Sequence, residues 1–262
     1  MKILKLLDLN VCIKLDNNKE VVQFLNNDKY DIVTLQEVMR KIDDTVIDRY
    51  KSSNVIKENT NYKYSFFGPL WIASHHEKNG IVSKNFGGNA EQGNEIFTNY
   101  PIKKCKNTFY YKDYSIFEDT TNFRKEDHSR AFLSTILDIN GKDIQVITVH
   151  GIWTKDKMGD ERTLNQIESI LEEVRYDIPC IVTGDFNLLP KSESIKNISQ
   201  KLTNLIEKYD IKSTRPSFDD GLDKGDIVCD YIFVNDKVKI NDLNVINTNV
   251  SDHLPIVLDF DI

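Results

Sequence analysis

Residues 180–190 have the sequence CIVTGDFNLLP, which predicts a buried strand followed directly by polar side chains. Cys180 to Thr183 are apolar or β-branched, as in strands that are covered on both faces. Gly184 is expected to end this strand. Asp185 and Asn187 follow two residues apart, so an extended backbone would place both side chains on one side. By itself the segment is compatible with a turn rich in Asp and Asn, or with a reactive site at a strand end.

The composition is that of a globular protein whose net negative charge disfavours binding of nucleic acid by bulk charge. The chain has 262 residues, of which 40% are hydrophobic. No linker or repeat divides it, so we predict a single domain spanning residues 1–262. The net charge of −7 excludes attraction to nucleic acid by bulk charge. A local basic patch or a metal ion must therefore bridge the protein and any polyphosphate.

Cysteine spacing and hydropathy predict the cellular compartment of the protein. The four cysteines are scattered without a CxxC pair, which argues against a zinc site and favours reduced thiols in a cytoplasmic protein. Met1 to Asp8 predict a first strand rather than a signal peptide. No apolar run approaches the length of a membrane span. We therefore expect no stable membrane association.

Several predicted strands carry polar residues at their ends. Strands are predicted over residues 3–11, 30–38, 62–68, 94–100, 105–114, 130–139, 142–149, 227–234 and 256–260, and helices over 18–27, 160–176 and 192–209. A hairpin signal, Asn140-Gly141, joins two strands while helices join others, which favours a mixed sheet or a pair of packed sheets. The polar residues are Asn10, Glu37, Arg130, His150, Asp185, Asn187, Asp230, Asp252 and His253.

Single members of this set have ordinary structural explanations. Glu37 is compatible with a solvated strand end, and a lone histidine such as His150 is more often structural. Asp230 interrupts an apolar strand, where a carboxylate is costly unless it is paired. The adjacent His75 and His76 lack the spacing of metal ligands and are expected in a surface loop. The repeated placement of polar residues at strand ends is what indicates one shared site.

The residue types suit one kind of chemistry. Glu37 and the aspartates offer the hard oxygen ligands that Mg²⁺ or Mn²⁺ prefers. His253 can take up a proton near neutral pH, and Asp230 could hold it in one tautomer. Arg130 and His150 could donate hydrogen bonds to phosphate oxygens. Together they predict metal-assisted attack of water on a phosphate ester.

Six motifs carry a family resemblance and run from residue 10 to residue 255. They are Asn10 after the first strand, Leu35-Gln36-Glu37, Thr148-Val149-His150, Gly184-Asp185-Phe186-Asn187, Asp230-Tyr231-Ile232-Phe233-Val234 and Ser251-Asp252-His253-Leu254-Pro255. In this order they resemble the endonuclease/exonuclease/phosphatase superfamily. The resemblance implies a deoxyribonuclease I-like α/β (α+β) fold. This is a four-layer α/β/β/α sandwich of two packed mixed β-sheets with helices outside, and with a divalent-metal cleft at one end.

The resemblance also implies roles for the metal and proton-transfer residues. Glu37 would be the principal ligand of Mg²⁺ or Mn²⁺, with Asn10 and Asp252 close by, directly or through water. His253 would be the general base or a phosphate contact. Asp230 would orient that histidine.

Four further residues would act on water or on the phosphate. Asp185 would position or deprotonate the attacking water, and the family supports either Asp185 or His253 as the base. Asn187 would stabilise charge developing on phosphorus. His150 would donate a hydrogen bond to the scissile phosphate, and Arg130 is the least specific of these assignments.

Branch-specific motifs narrow the substrate only partly. The segments at 148–151, 182–183 and 228–231 differ from those of abasic-site endonucleases and inositol polyphosphate 5-phosphatases, which disfavours both branches. The remaining motifs resemble deoxyribonuclease I-like enzymes, tyrosyl-DNA phosphodiesterases, deadenylases and bacterial sphingomyelinases. Glu95 replaces the alanine of the family's Gly-Asn-Ala, and we expect it to place an acid near the substrate.

The preferred hypothesis is a monomeric Mg²⁺- or Mn²⁺-dependent phosphodiesterase that acts on nucleic acid. The alternative is an inositol or sugar phosphate phosphatase, or a sphingomyelinase-like lipid phosphodiesterase. The net negative charge favours this alternative, because such substrates need no extended positively charged surface. A third possibility is a catalytically silent binding module. The retention of Asp230, Asp252 and His253 argues against it, since a silent module has no physical need for all three.

Overall fold

Two mixed β-sheets packed face to face, with helices on their outer surfaces, make up the protein in a computed structural model. The structure describes residues 3–12, 16–73, 77–78, 81–82, 86–117, 128–215 and 227–262. Within these ranges one sheet has seven strands, a second has six and a third has two. No helix in the described part of the chain is both long and apolar enough to span a membrane.

The elements are numbered in chain order. The strands are β1 (Leu4–Asn10), β2 (Ile32–Lys41), β3 (Tyr64–Ala73), β4 (Glu77–Lys78), β5 (Ile81–Val82), β6 (Ala90–Thr98), β7 (Ile102–Tyr111), β8 (Ser115–Phe117), β9 (Arg130–Ile139), β10 (Lys142–His150), β11 (Cys180–Asp185), β12 (Thr203–Asn204), β13 (Asp230–Val234), β14 (Lys239–Val245) and β15 (Ile256–Asp261). The helices are α1 (Asn18–Asn27), α2 (Ser52–Asn59), α3 (Glu161–Glu173), α4 (Glu193–Ser199) and α5 (Leu205–Lys208), with a 3-10 helix at Asp48–Tyr50.

The central strands of both sheets finish at the same end of the sandwich. The first sheet has the order β14-β15-β1-β2-β6-β3-β8, and the second has the order β12-β13-β11-β10-β9-β7. β1 and β2 are parallel, as are β10 and β11. The side chain of Asn10, at the end of β1, contacts that of Asp185, at the end of β11. The four parallel strands therefore point toward one end, called here the site end.

Alternating side chains separate the central core from the outer layers. Leu6 of β1 belongs to the core cluster that contains Phe132 of the opposing sheet and Ile167 of α3. Its neighbour Leu7 belongs to a second cluster, with Val21 of α1. This is the two-residue period of a strand that is covered on both faces. Each such side chain contributes about 1.5–3 kcal/mol when fully buried.

The predicted four-layer sandwich is confirmed, and several elements match the expected ranges. α1 and β9 have the predicted bounds. Asn140 and Gly141 both have positive φ, 54° and 88°, as a type I′ hairpin turn requires. Asp160 caps α3, where its side chain accepts a hydrogen bond from the Arg162 backbone amide.

Other expectations were wrong in their bounds. β11 does not end before Gly184 but continues through Asp185, and β13 begins at Asp230 rather than at residue 227. β3 runs on to Ala73, and α2 and β14 are the longest of the elements that were not predicted. Both missed elements are half exposed and carry few apolar residues, so they have weak hydrophobic patterns. His75 and His76 lie outside the described residues.

Candidate active site

Strand register brings polar residues from both sheets to the site end. In the second sheet His150 pairs with Asp185 across two parallel strands, and Asp185 pairs with Asp230 across two antiparallel ones. In the first sheet β1 ends at Asn10, and β15, its antiparallel neighbour, begins shortly after His253. Residues far apart in sequence are therefore adjacent in space.

Two glycines allow the strands that carry His150 and Asp185 to approach closely. Gly184 has a φ of +136°, and a Cβ atom there would lie 2.1 Å from the Val149 carbonyl oxygen. A Cβ atom at Gly151 would lie 2.2 Å from the Phe186 carbonyl oxygen. Any larger residue would push these strand ends apart.

A turn holds Asp185 and Asn187 together, so the expected extended backbone was wrong. Asn187 has a left-handed φ of 57°. The Asn187 backbone amide donates a hydrogen bond to Asp185 Oδ1 at 2.7 Å, as in an Asx turn. The Asn187 side chain also donates to Asp185 Oδ2 at 3.2 Å. The turn and the polar site are thus the same structure.

Asp185 is the residue that connects most members of the site. Its Oδ2 atom accepts a hydrogen bond from the Asn10 side chain at 3.2 Å. The Nε2 atoms of His253 and His150 lie 3.7 and 3.9 Å from the same oxygen. Burial raises the pKa of Asp185 above its usual value, against the opposing charge of His253.

Asp230 and His253 form a buried carboxylate–imidazole pair. His253 Nδ1 lies 2.8 Å from Asp230 Oδ1, and the Thr214 hydroxyl donates to Asp230 Oδ2 at 2.6 Å. Burial alone would raise the pKa of Asp230, but its contacts with His253 and Thr214 lower it. Burial alone would lower the pKa of His253, but the carboxylates of Asp230 and Asp185 raise it well above its usual value. The arrangement makes His253 a strong proton acceptor.

Glu37 reaches the site through an irregularity in β2. The pairing of β2 with β6 shifts register between Leu35 and Val38, and Glu37 has a left-handed φ of 58°. Its Oε1 atom lies 3.7 Å from His150 Nε2, and 22% of the side chain is exposed. A bulge that turns a glutamate toward a cleft is backbone strain of the kind found at functional sites.

Arg130 is buried and interacts electrostatically with the site. Burial lowers the pKa of Arg130, and the carboxylates of Glu37 and Asp185 oppose that shift. Its Nη1 atom is buried and donates no hydrogen bond within the described part of the chain. Tyr110 donates a hydrogen bond to the His150 carbonyl oxygen at 2.8 Å. Arg130 thus supplies positive charge beneath His150.

Two basic residues of the site were missed from the sequence. Arg215 Nη2 lies 2.9 Å from Asp252 Oδ2, and its Nη1 atom contacts His253 Nε2. Lys157 Nζ donates to Asn187 Oδ1 at 3.2 Å. Both lie in irregular segments with no periodic pattern. The available signal was their position in loops that adjoin strands carrying site residues.

A second missed residue type is a buried acid beneath the site. Asp8 Oδ1 accepts hydrogen bonds from the Thr34 hydroxyl at 2.7 Å and from Gln36 Nε2 at 2.9 Å. Gln36 Nε2 also lies 2.9 Å from Thr148 Oγ1 on the opposing sheet. Burial raises the pKa of Asp8 to about 7. This polar layer joins the two sheets directly below Asn10 and Glu37.

Glu95 does not lie where it was expected. Its side chain is fully buried, and Oε1 lies 2.7 Å from Lys57 Nζ on α2. Phe97, two residues on and hence on the same face of β6, packs with Ile56 of α2. Glu95 therefore faces the outer helical layer, and the expectation that it places an acid near the substrate was wrong.

The site residues from Asn10 to His253 all lie within the match to one protein family. A model of the endonuclease/exonuclease/phosphatase family matches residues 10–253. The chain belongs to the endonuclease/exonuclease/phosphatase family. The predicted family resemblance is therefore confirmed, and the family is one of phosphoesterase hydrolases. No curated protein matches the sequence.

Solved structures share the fold at low sequence identity. An endonuclease/exonuclease/phosphatase family protein from Leptotrichia buccalis is 21% identical, with a TM-score of 0.69 and coverage of 99% of this chain and 100% of that one. D. rerio TDP2 complexed with single strand DNA product is 16% identical, with a TM-score of 0.69 and full coverage of both chains. A mannosyl-6-phosphatase from Bacteroides thetaiotaomicron is 15% identical, with a TM-score of 0.65 and coverage of 99% and 100%.

The donor set of the site fits the divalent metal on which this family generally depends. Glu37, Asn10 and Asp252 offer carboxylate and amide oxygens, as hard cations prefer. A second group, Asp185, Cys229, Asp230 and His253, has ligand atoms within 4.8 Å of one another. Burial raises the pKa of the Cys229 thiol to about 11, so it stays protonated and is a poor ligand at neutral pH. The chemistry of the donors favours a hard cation over a thiophilic one.

Proposed function

We propose that this protein is a Mg²⁺- or Mn²⁺-dependent phosphodiesterase that acts on nucleic acid by in-line attack of an activated water. The observation behind the proposal is that Asp185 contacts Asn10, Asn187 and both site histidines at one end of the sandwich. Such convergence of buried titratable groups is characteristic of active sites.

Each residue then has a role that follows from its contacts. Glu37, Asn10 and Asp252 would hold the metal, which when bound would neutralise charge on the phosphoryl group. Asp185 Oδ2, between the Nε2 atoms of two histidines, would orient the water and accept its proton.

The remaining residues would hold the phosphate. His253, fixed by Asp230, would contact a phosphoryl oxygen, and His150 would donate to the scissile phosphate. Asn187 would donate its amide to charge developing on phosphorus, and Arg130 would add positive charge from beneath.

The Glu37→Gln variant tests the proposal. Loss of the carboxylate should lower kcat/KM on bis(p-nitrophenyl) phosphate with Mg²⁺ by about a thousandfold, because a metal ion supplies several kcal/mol of transition-state stabilisation. Wild-type activity should also disappear in EDTA. Glu168→Gln, on the exposed face of α3, is the matched control and should retain full activity. Equal rates for Glu37→Gln and wild type would refute the metal role.

A small phosphate monoester is the second candidate substrate, favoured by the net charge of −7. A structural neighbour is a mannosyl-6-phosphatase, so the fold is compatible with such a substrate. A panel of single- and double-stranded DNA, RNA, sugar and inositol phosphates and sphingomyelin separates the two. Polynucleotide binding should weaken steeply with salt, whereas binding of a small ester should weaken far less.

The same proposal places the protein in a reducing compartment such as the cytoplasm, as a monomer. None of the four cysteines, Cys12, Cys105, Cys180 and Cys229, forms a disulfide bond, and three of them are buried. Proteins of oxidising compartments more often pair such residues. Sedimentation of the reduced protein measures the oligomeric state.

A further inference from the structure

Arg215 contacts a ring nitrogen of His253 that the proposed reaction uses. Its Nη1 atom contacts His253 Nε2, and its Nη2 atom pairs with Asp252. A guanidinium group only donates hydrogen bonds, so it can pair with His253 Nε2 only while that atom lacks a proton, whereas the carboxylates of Asp230 and Asp185 favour a protonated His253. The other ring nitrogen, Nδ1, then carries the proton directed at Asp230. While Arg215 stays in place, His253 Nε2 can contact neither a phosphate nor a water.

Hydrogen bonds hold the backbone at Thr214, directly before Arg215. Thr214 accepts hydrogen bonds at Oγ1 from the backbone amides of Cys229 and Asp230. Its own amide donates to the Ile227 carbonyl, and its carbonyl accepts from the Leu254 amide. Thr214 is fully buried, whereas the Arg215 side chain is 21% exposed beside Asp252, which is 32% exposed. The guanidinium therefore lies at the mouth of the cleft on a rigid support.

The charge of the cleft explains why an arginine is useful there. Glu37, Asp185, Asp230 and Asp252 all carry carboxylates, which repel an incoming phosphate. Arg130 lies buried beneath the site, whereas Arg215 reaches its mouth. A planar guanidinium binds two phosphate oxygens in the same way that it binds a carboxylate. A phosphoryl group can thus replace the Asp252 carboxylate as the partner of Arg215.

We propose that Arg215 is a substrate-binding residue that exchanges its contacts with Asp252 and His253 for oxygens of the substrate phosphoryl group. The exchange leaves Asp252 available to the metal and His253 Nε2 available to the substrate. This inference rests on the proposed phosphoesterase function and assigns the phosphate-recognition residue of that site.

Binding of inorganic phosphate in EDTA tests the exchange without metal or turnover. The arginine side-chain Nε–H signals of ¹⁵N-labelled protein are followed by NMR during the titration. One signal should shift in the wild type and be missing from Arg215→Gln. Phosphate affinity should fall about tenfold or more in Arg215→Gln, as for loss of a hydrogen bond between charged groups, and Arg215→Lys should recover part of it. Arg175→Gln, which removes an exposed Arg–Asp pair far from the site, should bind as the wild type does.

Kinetics supply a second readout. Arg215→Gln should raise KM for bis(p-nitrophenyl) phosphate more than it lowers kcat, since the contact is made before the reaction. Unchanged phosphate affinity in Arg215→Gln would overturn the proposal. A higher kcat at unchanged KM would also overturn it, because Arg215 would then block His253 without binding the substrate. If the wild type binds phosphate through Arg215 but hydrolyses no ester, the proposed function fails while this assignment stands.

Discussion

Charged residues lie at both ends of the sandwich, but a connected group of them is buried at the site end. At the site end the side chains of Asp185, Asp230 and His253 are 3–6% exposed and contact one another. At the opposite end Arg175 and Asp177 form a pair whose side chains are 48% and 63% exposed. Burial of a charge is costly unless it is paired, whereas an exposed pair is nearly neutral in energy. The desolvation cost of this connected group therefore falls at the end where chemistry is proposed.

Backbone conformation shows the same contrast. Cys12, Glu37 and Asn187, all at the site end, have left-handed φ values of 56°, 58° and 57°. At the opposite end Asn140 has a left-handed φ within a hairpin turn, where that conformation is normal. Glu37 is left-handed inside a strand, where no turn requires that conformation, and this strain coincides with buried charge at the site end.

Among substitutions that test the contrast between the two ends of the sandwich, Asp230→Asn should have the largest effect. The amide can still accept the Thr214 hydrogen bond, but it cannot stabilise a protonated His253. We expect kcat on bis(p-nitrophenyl) phosphate to fall by about 10²- to 10³-fold, the usual contribution of a group that stabilises charge in the transition state. A melting curve shows whether the fold is retained. A loss below threefold, roughly the scale of an incidental contact, would mean that His253 does not depend on Asp230.

An intermediate effect is expected at Asp8, on stability rather than on rate. The pKa of Asp8 is about 7 in the folded protein against an ordinary value of 3.8. Because the folded value is the higher one, the stabilisation is complete below about pH 4 and is lost as the pH rises through 7. The wild type should lose about 2–3 kcal/mol from this group between about pH 5 and pH 8.

Asp8→Asn removes that titration. Urea unfolding of both proteins in EDTA at several pH values measures the difference between their free energies of unfolding. As the pH rises, the free energy of unfolding of the wild type should fall relative to that of Asp8→Asn. A constant gap would show that Asp8 stays ionised throughout and that the polar layer tolerates its charge.

The smallest effect is expected at the opposite end of the sandwich. Arg175→Gln and Asp177→Asn remove the partners of an exposed ion pair. Neither activity nor melting temperature should change measurably, because solvent screens such pairs. A loss of activity comparable to that of Asp230→Asn would end the distinction between the two ends.

The strands and the residues at their ends could be predicted because both rest on local patterns. Ile181 to Thr183 and Arg130 to Ile139 are continuous apolar or β-branched runs, and polar residues beside such runs are easily recognised. Asp185, Asp230 and His253 were found in this way, and the structure brings them into contact.

The remaining features depend on tertiary contacts that no local pattern encodes. Arg215 and Lys157 lie in loops, where position depends on the strands to which the loop is tied. Glu37 was predicted, but the bulge that orients it was not, because register shifts arise from pairing with β6. Glu95 was predicted on the wrong face of β6. A shift of one residue in register exchanges the two faces of a strand, and register cannot be read from a local pattern.

The pairing of β1 with β15 has a consequence for biosynthesis. Asn10 lies near the start of the chain, yet Ser251 donates a hydrogen bond to its carbonyl oxygen at 2.6 Å, and β15 pairs along β1. Contacts between residues so distant in sequence form late in folding. A nascent chain in which residues 251–261 have not yet been synthesised therefore lacks Asp252, His253 and the strand that supports Asn10. The proposed activity would therefore arise only after β15 has joined the sheet, so a partly folded chain would not hydrolyse phosphate esters.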